Sequence, residues 1–164
     1  MSDGRGRGEG WVAAQLFLLG GIAFAPRELP GLPPLPAGLR VPAAAVGAVL
    51  LAAGLVVGGL GALQLGSNLT IFPRPKGDGE LVESGVYGMV RHPIYTGVLL
   101  AALGFSLLRG AAPSLLLSLA LWGFFELKAR REERWLAEQF PRYRGYIRRV
   151  PSRIVPLHWP KRHE

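Results

Sequence analysis

Residues 93–127 read PIYTGVLLAALGFSLLRGAAPSLLLSLALWGFFEL. Up to Phe125 this stretch carries one charge, Arg109, and Arg109-Gly110 divides it into two apolar runs, Pro93–Leu108 and Ala111–Leu127. A hydrocarbon core of about 30 Å takes about 20 helical residues, with a range of about 17–25. Two runs near that length, joined by a two-residue break, predict a tight hairpin of membrane helices. Working outward toward the N-terminus, Ala43–Gly66 is uncharged, with Gln64 its only strongly polar residue, and reads as a further span. Trp11–Ala25 is a shorter uncharged run that stops at Pro26, with Trp11 placed as an interfacial anchor. Arg5 and Arg7 ahead of it resemble the start of a signal peptide, but no small-residue cleavage site precedes Pro26, so it is read as a retained span. Between these two runs, residues 26–42 hold six prolines, which predicts a stiff external loop without helix.

The expected fold is therefore all-α: an integral membrane helical bundle of about four transmembrane helices in one unit over residues 1–164. Residues 1–10 are expected to be disordered, 11–66 to hold the first two spans, 67–156 to form the core that carries the chemistry, and 157–164 to trail as a tail. Composition agrees. Of 164 residues, 49% are hydrophobic and 18% charged, a balance that favours a membrane over water. The absence of cysteine excludes a disulfide framework, a thiolate zinc site and a cysteine nucleophile. The net charge of +8 is concentrated in residues 128–164, with eleven basic and four acidic side chains. An apolar body with a basic, helical C-terminal tail suits anionic lipid rather than nucleic acid. Positive charge marks cytoplasmic loops. Arg5, Arg7, Arg74, Lys76, Arg91 and the basic tail outweigh Arg27, Arg40 and Arg109 on the alternate loops. Four spans with both termini cytoplasmic satisfy that count, and put the 67–92 loop and the tail on one side.

Chemistry concentrates at two places on that side. In Arg91-His92-Pro93-Ile94-Tyr95-Thr96-Gly97, Pro93 suits the first position of a helix. Free N–H groups there, together with the arginine fork, make a corner for a carboxylate or phosphate. Gly97 leaves the backbone open to a ligand. Snorkelling of Arg91 and His92 to lipid headgroups stays open as the plain alternative. In Glu126-Leu-Lys-Ala-Arg130-Arg131-Glu132-Glu133, residues 126, 130 and 133 share a helix face. Glu126 follows an aromatic run at membrane depth, where an acid is costly and suggests function, although pairing with Arg130 would also explain it. Farther on, Pro141 ends the helix, and Tyr143 and Tyr146 lie three apart on a short helix among arginines. There is no phosphate-loop motif, no histidine–acid spacing for a metal, and no Ser-His-Asp set, the only aspartates being Asp3 and Asp78.

Taken together, Thr70-Ile71-Phe72-Pro73, Leu81-Val82-Glu83-Ser84-Gly85-Val86-Tyr87, Arg91–Gly97, Arg131–Leu136, Phe140, Tyr143, Tyr146 and Val150-Pro151 resemble the isoprenylcysteine carboxyl methyltransferase and phospholipid methyltransferase family over residues 68–156. The resemblance implies an integral-membrane enzyme that uses S-adenosyl-L-methionine and takes a lipid-like or prenylated acceptor from the bilayer. It assigns Arg91, His92, Pro93, Tyr95, Gly97, Glu132 and Glu133 to the cofactor. Its basic positions make Arg130 and Arg149 candidates for catalysis and Arg131 for the acceptor; the residues themselves add Glu126 to catalysis and Tyr143 and Tyr146 to the acceptor. The choice among the arginines stays open, because Pro141 stands where the family usually has glycine. Transfer to a carboxylate needs no base, whereas transfer to a lipid amine would draw on Glu126 or His92. No metal is implied. An NADPH-dependent membrane reductase of the sterol type and a non-enzymatic four-span transporter or scaffold are the alternatives.

Overall fold

A computed structural model describes residues 8–69 and 81–156. The motif Thr70–Pro73, the loop charges Arg74 and Lys76, Arg5, Arg7 and the tail 157–164 lie outside those residues. Among the described residues the chain is helical: α1 (Glu9–Phe24), α2 (Ala37–Leu65), α3 (Pro93–Arg109), α4 (Ala112–Gln139) and α5 (Tyr143–Arg149). Single 3-10 turns stand at Gly66–Asn68 and Gly85–Gly88. Two helices, α2 and α4, are long and apolar enough to cross a membrane, and α1 and α3 are shorter apolar helices. The predicted hairpin is present, with Gly110 at φ 61° ending α3 as only glycine does without strain.

Two boundaries differ from expectation. α1 begins at Glu9, inside the stretch expected to be disordered, and its first-turn acid suits the positive end of the helix. α2 begins at Ala37 and runs through Pro42, so the loop expected over 26–42 is helical in its last six residues. Pro42 is the sixth residue of the helix and leaves the Gly38 carbonyl, four residues back, without its helical N–H partner.

The packing of α2 inverts that of a water-soluble helix. Its buried residues are Gly47, Gly54 and Gly61, spaced seven apart. Its large side chains, Val49, Leu55 and Leu63 among them, point outward. Small residues inward and aliphatics outward are what a lipid solvent favours, since lipid offers no penalty to exposed leucine and close backbone approach gives the association. The partner is α3. A Cβ at Gly54 would lie 2.5 Å from both the Gly97 carbonyl oxygen and the Ala101 nitrogen, and one at Gly97 would lie 2.5 Å from Gly58 Cα. Gly104 meets Gly47 in the same way. On its other side α3 faces α4, around a core of Leu99, Ala102, Leu121, Phe125 and Ala129 with Ile22 from α1. The Arg109 guanidinium donates to the Ala23 and Ala25 carbonyls at 2.7 and 2.8 Å, and Ser114 Oγ donates to the Ile22 carbonyl, so the last carbonyls of α1 are satisfied by the hairpin.

α4 changes character at Leu127. Seven of the twelve residues from Lys128 to Gln139 are charged, so this half projects beyond the apolar part. There it meets the start of α3 and an extended strap, residues 150–154, that follows α5.

Candidate active site

His92 is the N-cap of α3 and Pro93 its first residue, as the sequence predicts. The strap holds this helix start from outside. Arg91 N–H donates to the Ser152 carbonyl (3.0 Å) and His92 N–H to the Arg153 carbonyl (2.9 Å). Arg91 Nη1 donates to the Val150 carbonyl at 2.6 Å, and Thr96 Oγ1 to the Ile154 carbonyl at 2.5 Å. Val150, Ser152 and Ile154 are all buried, the alternation of an extended segment packed on one face. Tyr143 and Tyr146 pack edge to face beneath it with Val150, and the Tyr146 hydroxyl donates to the Tyr87 carbonyl at 2.7 Å.

The anion at the expected corner is one of the protein's own. Arg91 Nε donates to Glu133 Oε1 at 2.9 Å, with the two side chains only 4% and 9% exposed. Arg153 grips the same carboxylate at 3.1 and 3.0 Å, and reaches Glu126 Oε2 at 2.8 Å. His92 lies between the adjacent acids, with Nδ1 3.6 Å from Glu132 Oε2 and Nε2 3.3 Å from Glu133 Oε1. The Tyr95 hydroxyl donates to Glu132 Oε1 at 2.5 Å, and its ring is stacked between His92 and Phe125.

Two adjacent carboxylates thus have opposite environments. Burial works against the charge of Glu133, but the close His92 ring and the hydrogen bonds from Arg153 and Arg91 outweigh it and hold that carboxyl at about 2. For Glu132 burial prevails over His92 and Tyr95, and pushes the carboxyl above its usual range. Burial, with Glu132 nearby, also raises the Tyr87 phenol to about 12. Among the described residues, two buried polar atoms lack hydrogen-bond partners, His92 Nε2 and Tyr143 Oη. Unpaired buried polar atoms are costly, and both lie in or against this cluster.

Beside the cluster, beyond Thr96 and Ile154, lies an apolar cavity of about 390 Å³. One face of α3 (Thr96, Leu99, Leu100, Leu103) forms its back, and Leu119 and Trp122 of α4 flank it.

Of the residues singled out from sequence, the structure brings together Arg91, His92, Tyr95, Glu126, Glu132 and Glu133. Pro93 shapes the helix start, while the space beside Gly97 is filled by the backbone of α2. Arg130 is exposed and reaches Glu126 only at 3.9 Å. Arg131 is exposed and lies over the Trp135 ring at 5.2 Å. Arg149 is exposed and pairs with Glu83. Sequence reading missed Arg153, Lys128 and Gln15. Lys128 is 3% exposed, and its Nζ donates to Gln15 Oε1 at 2.7 Å and lies 5.1 Å from the centre of the Tyr95 ring. Two signals were available. Gln15 is the sole polar side chain in the apolar run of α1, and Lys128 stands four residues before Glu132, on its face of the helix.

Comparison with known proteins converges on these elements. The phospholipid methyltransferase family model matches residues 42–143, from the start of α2 into α5. Protein-S-isoprenylcysteine O-methyltransferase of Schizosaccharomyces pombe is 44% identical over 79 residues, covering 47% of this chain and 34% of that protein. Protein-S-isoprenylcysteine O-methyltransferase B of Arabidopsis thaliana is 35% identical over 77 residues, 46% of this chain and 39% of that one. Delta(14)-sterol reductase of Arabidopsis thaliana is 38% identical over 86 residues, 48% of this chain and 22% of the reductase. The matched stretch thus spans only about a third of the length of the two methyltransferases and less of the reductase. The family model covers well over half of this chain, and the chain belongs to the phospholipid methyltransferase family.

Proposed function

We propose that the protein is an S-adenosyl-L-methionine-dependent methyltransferase of the membrane surface, with four spans, both termini cytoplasmic, and a lipid-like or prenylated carboxylate as acceptor. The observation that carries this reading is the adjacency of two unlike sites at the start of α3. A polar cluster of Arg91, His92, Tyr95, Glu132 and Glu133 adjoins an apolar cavity of about 390 Å³. A charged cofactor and a greasy acceptor need such a pair of neighbours.

The residues present fit the cofactor. Glu132 and Glu133 match its ammonium and ribose hydroxyls, Arg91 matches its carboxylate, and the Tyr143 hydroxyl is buried without a hydrogen-bond partner. When bound, S-adenosylmethionine supplies a methyl group on a sulfonium. The protein's part is to align the acceptor and to exclude water, which alone is worth about 7–11 kcal/mol in favourable cases. The strap and the Tyr95–Phe125 stack separate the cluster from the surface, and the cavity takes the acceptor's apolar chain. A carboxylate acceptor is favoured because the acids are already engaged. Of the two groups an amine acceptor would draw on, Glu126 is held by Arg153, and His92 is set between the Glu132 and Glu133 carboxylates. Among the exposed cations, Arg130, Arg131 and Arg149 are assigned to attract an acceptor carboxylate.

The similarity to a Delta(14)-sterol reductase keeps an NADPH-dependent reductase as the second reading. Calorimetric titration of the detergent-solubilised protein with S-adenosylhomocysteine and, separately, NADPH discriminates the two. Binding of the homocysteine product alone is the expected result. Binding of NADPH alone overturns the proposal.

A further inference from the structure

We propose that α1 is a working part of the site: Gln15 holds Lys128 against the Tyr95 ring, and Lys128 in turn positions the hydrogen-bonded Tyr95–Glu132 pair. This rests on the functional reading above.

Lys128 stands at the end of the apolar half of α4, where a lysine ordinarily extends its ammonium outward to water. Here it is 3% exposed and turned inward. A buried ammonium needs acceptors, and a charge without them is strongly unfavourable. Its acceptor is Gln15 Oε1 at 2.7 Å, on a helix more than a hundred residues away in sequence. Its second neighbour is the Tyr95 ring at 5.1 Å, within cation–π range. That ring is already fixed, nearly parallel to His92 at 5.4 Å and to Phe125 at 4.4 Å, and its hydroxyl donates to Glu132. The chain of contacts therefore runs from Gln15 through Lys128 and Tyr95 to Glu132, and ends at one of the acids assigned to the cofactor. α1 lies wholly outside the residues that the family model matches, yet it supplies the first link.

The ionisable groups around Glu132 are Lys128 and Glu133 on α4, His92 and Tyr95 at the start of α3, and Tyr87 from the preceding turn. Lys128 is the cation that a neutral substitution removes, and the other groups are common to parent and variants. Removing a cation makes a buried carboxyl harder to ionise. A cofactor cation that pairs with ionised Glu132 should then bind poorly at low pH and recover as pH rises.

The test is calorimetric titration of the full chain in detergent with S-adenosylhomocysteine between pH 6 and 8.5, on the parent, Lys128→Met, Lys128→Arg and Gln15→Leu. Lys128→Met is expected to weaken binding about tenfold at the acid end, with the gap to the parent closing as pH rises. Lys128→Arg should restore most of the affinity, and Gln15→Leu should shift the profile in the same direction by a smaller factor. Size-exclusion profiles establish that each variant is folded. Should Lys128→Met fail that check, Gln15→Leu still decides the matter by the shape of its profile. A parent-like profile in Gln15→Leu would overturn the proposal, as would a loss that is equal at every pH. A parent that binds no S-adenosylhomocysteine would instead overturn the functional reading, and this inference with it.

Discussion

Two contacts of α3 are held by different physics. Over Gly97 and Gly104 it touches α2 backbone to backbone, with no side chain between. At His92–Tyr95 it is held by ion pairs, a ring stack and the strap. The first contact depends on shape, and its energy is dispersion gained by close approach. The second depends on charge, and its energy turns on whether each buried group keeps a partner. A shape contact fails when an atom is added, and a charge contact fails when one is removed.

The largest expected effect comes from adding atoms to the seam. Gly54→Val puts side-chain carbon where the Gly97 carbonyl and the Ala101 nitrogen stand, 2.5 Å from an ideal Cβ, and backbone cannot yield as a flexible side chain does. The expected outcome is loss of monodisperse protein in detergent, read by size exclusion. Gly59→Ala is the matched control, because nothing lies within 4 Å of a Cβ there. Its elution profile should be that of the parent, and its thermal midpoint should be equal or slightly higher. If both variants behave alike, the seam does not hold α3.

Next in size is the removal of a charge at the second contact. Glu133→Ala leaves Arg91 buried without its carboxylate, and breaking a buried pair on one side costs about 3–5 kcal/mol. Thermal unfolding in detergent should show a fall of that order, together with weakened S-adenosylhomocysteine binding. Arg153→Ala removes contacts to Glu133 and Glu126 at once but leaves Arg91 in place. It should cost less stability than Glu133→Ala while loosening the strap, seen as faster hydrogen exchange at Arg91 and His92, whose N–H groups the strap carbonyls accept.

The same carboxylate gives a pH signature. Glu133 sits at about 2 in the folded protein against an ordinary value of 4.5. A depressed carboxyl contributes stability that is present above its unfolded value and is lost as pH falls toward the folded one. The parent should therefore lose stability between about pH 4.5 and 2, and Glu133→Gln should flatten that part of the curve. An unchanged acid limb in Glu133→Gln would show that other carboxylates carry it.

What the sequence made legible follows the same division. The hairpin, the cap at His92-Pro93 and the end of α4 before Pro141 are local, set by runs of apolar residues and by proline, and they read directly. The start of α2 did not, because the six prolines of residues 26–42 were read together as excluding a helix, whereas only Pro42 lies within one. Gly97 was read as an opening for a ligand, and its reason lies across the seam in Gly54 and Gly58. Of the site, the pairs within a few residues were visible: Arg91 with His92, and Glu132 with Glu133. The groups that complete it come from 20 to more than 100 residues away, namely Arg153 on the strap and Gln15 on α1. Their positions depend on tertiary packing, which no local pattern encodes. A lone glutamine in an apolar helix was the available hint, since a polar group at that depth seeks a partner.

The smallest effect tests the exposed arginine of α5. Arg149 pairs with Glu83 across 66 residues, but the arginine side chain is 62% exposed and the pair is screened by solvent. Exposed pairs contribute about 0.2–1 kcal/mol. Arg149→Ala should thus shift the thermal midpoint little, and it should leave S-adenosylhomocysteine affinity unchanged, because Arg149 touches none of the cofactor residues. If Arg149 draws an acceptor carboxylate toward the cavity, the same variant loses turnover with a lipid-like carboxylate while both other readouts stay flat. A fall in cofactor affinity would mean that the Glu83–Arg149 pair supports the strap and the helix start beneath it, and the charged end of α3 would then extend farther than the Arg91–Glu133 cluster.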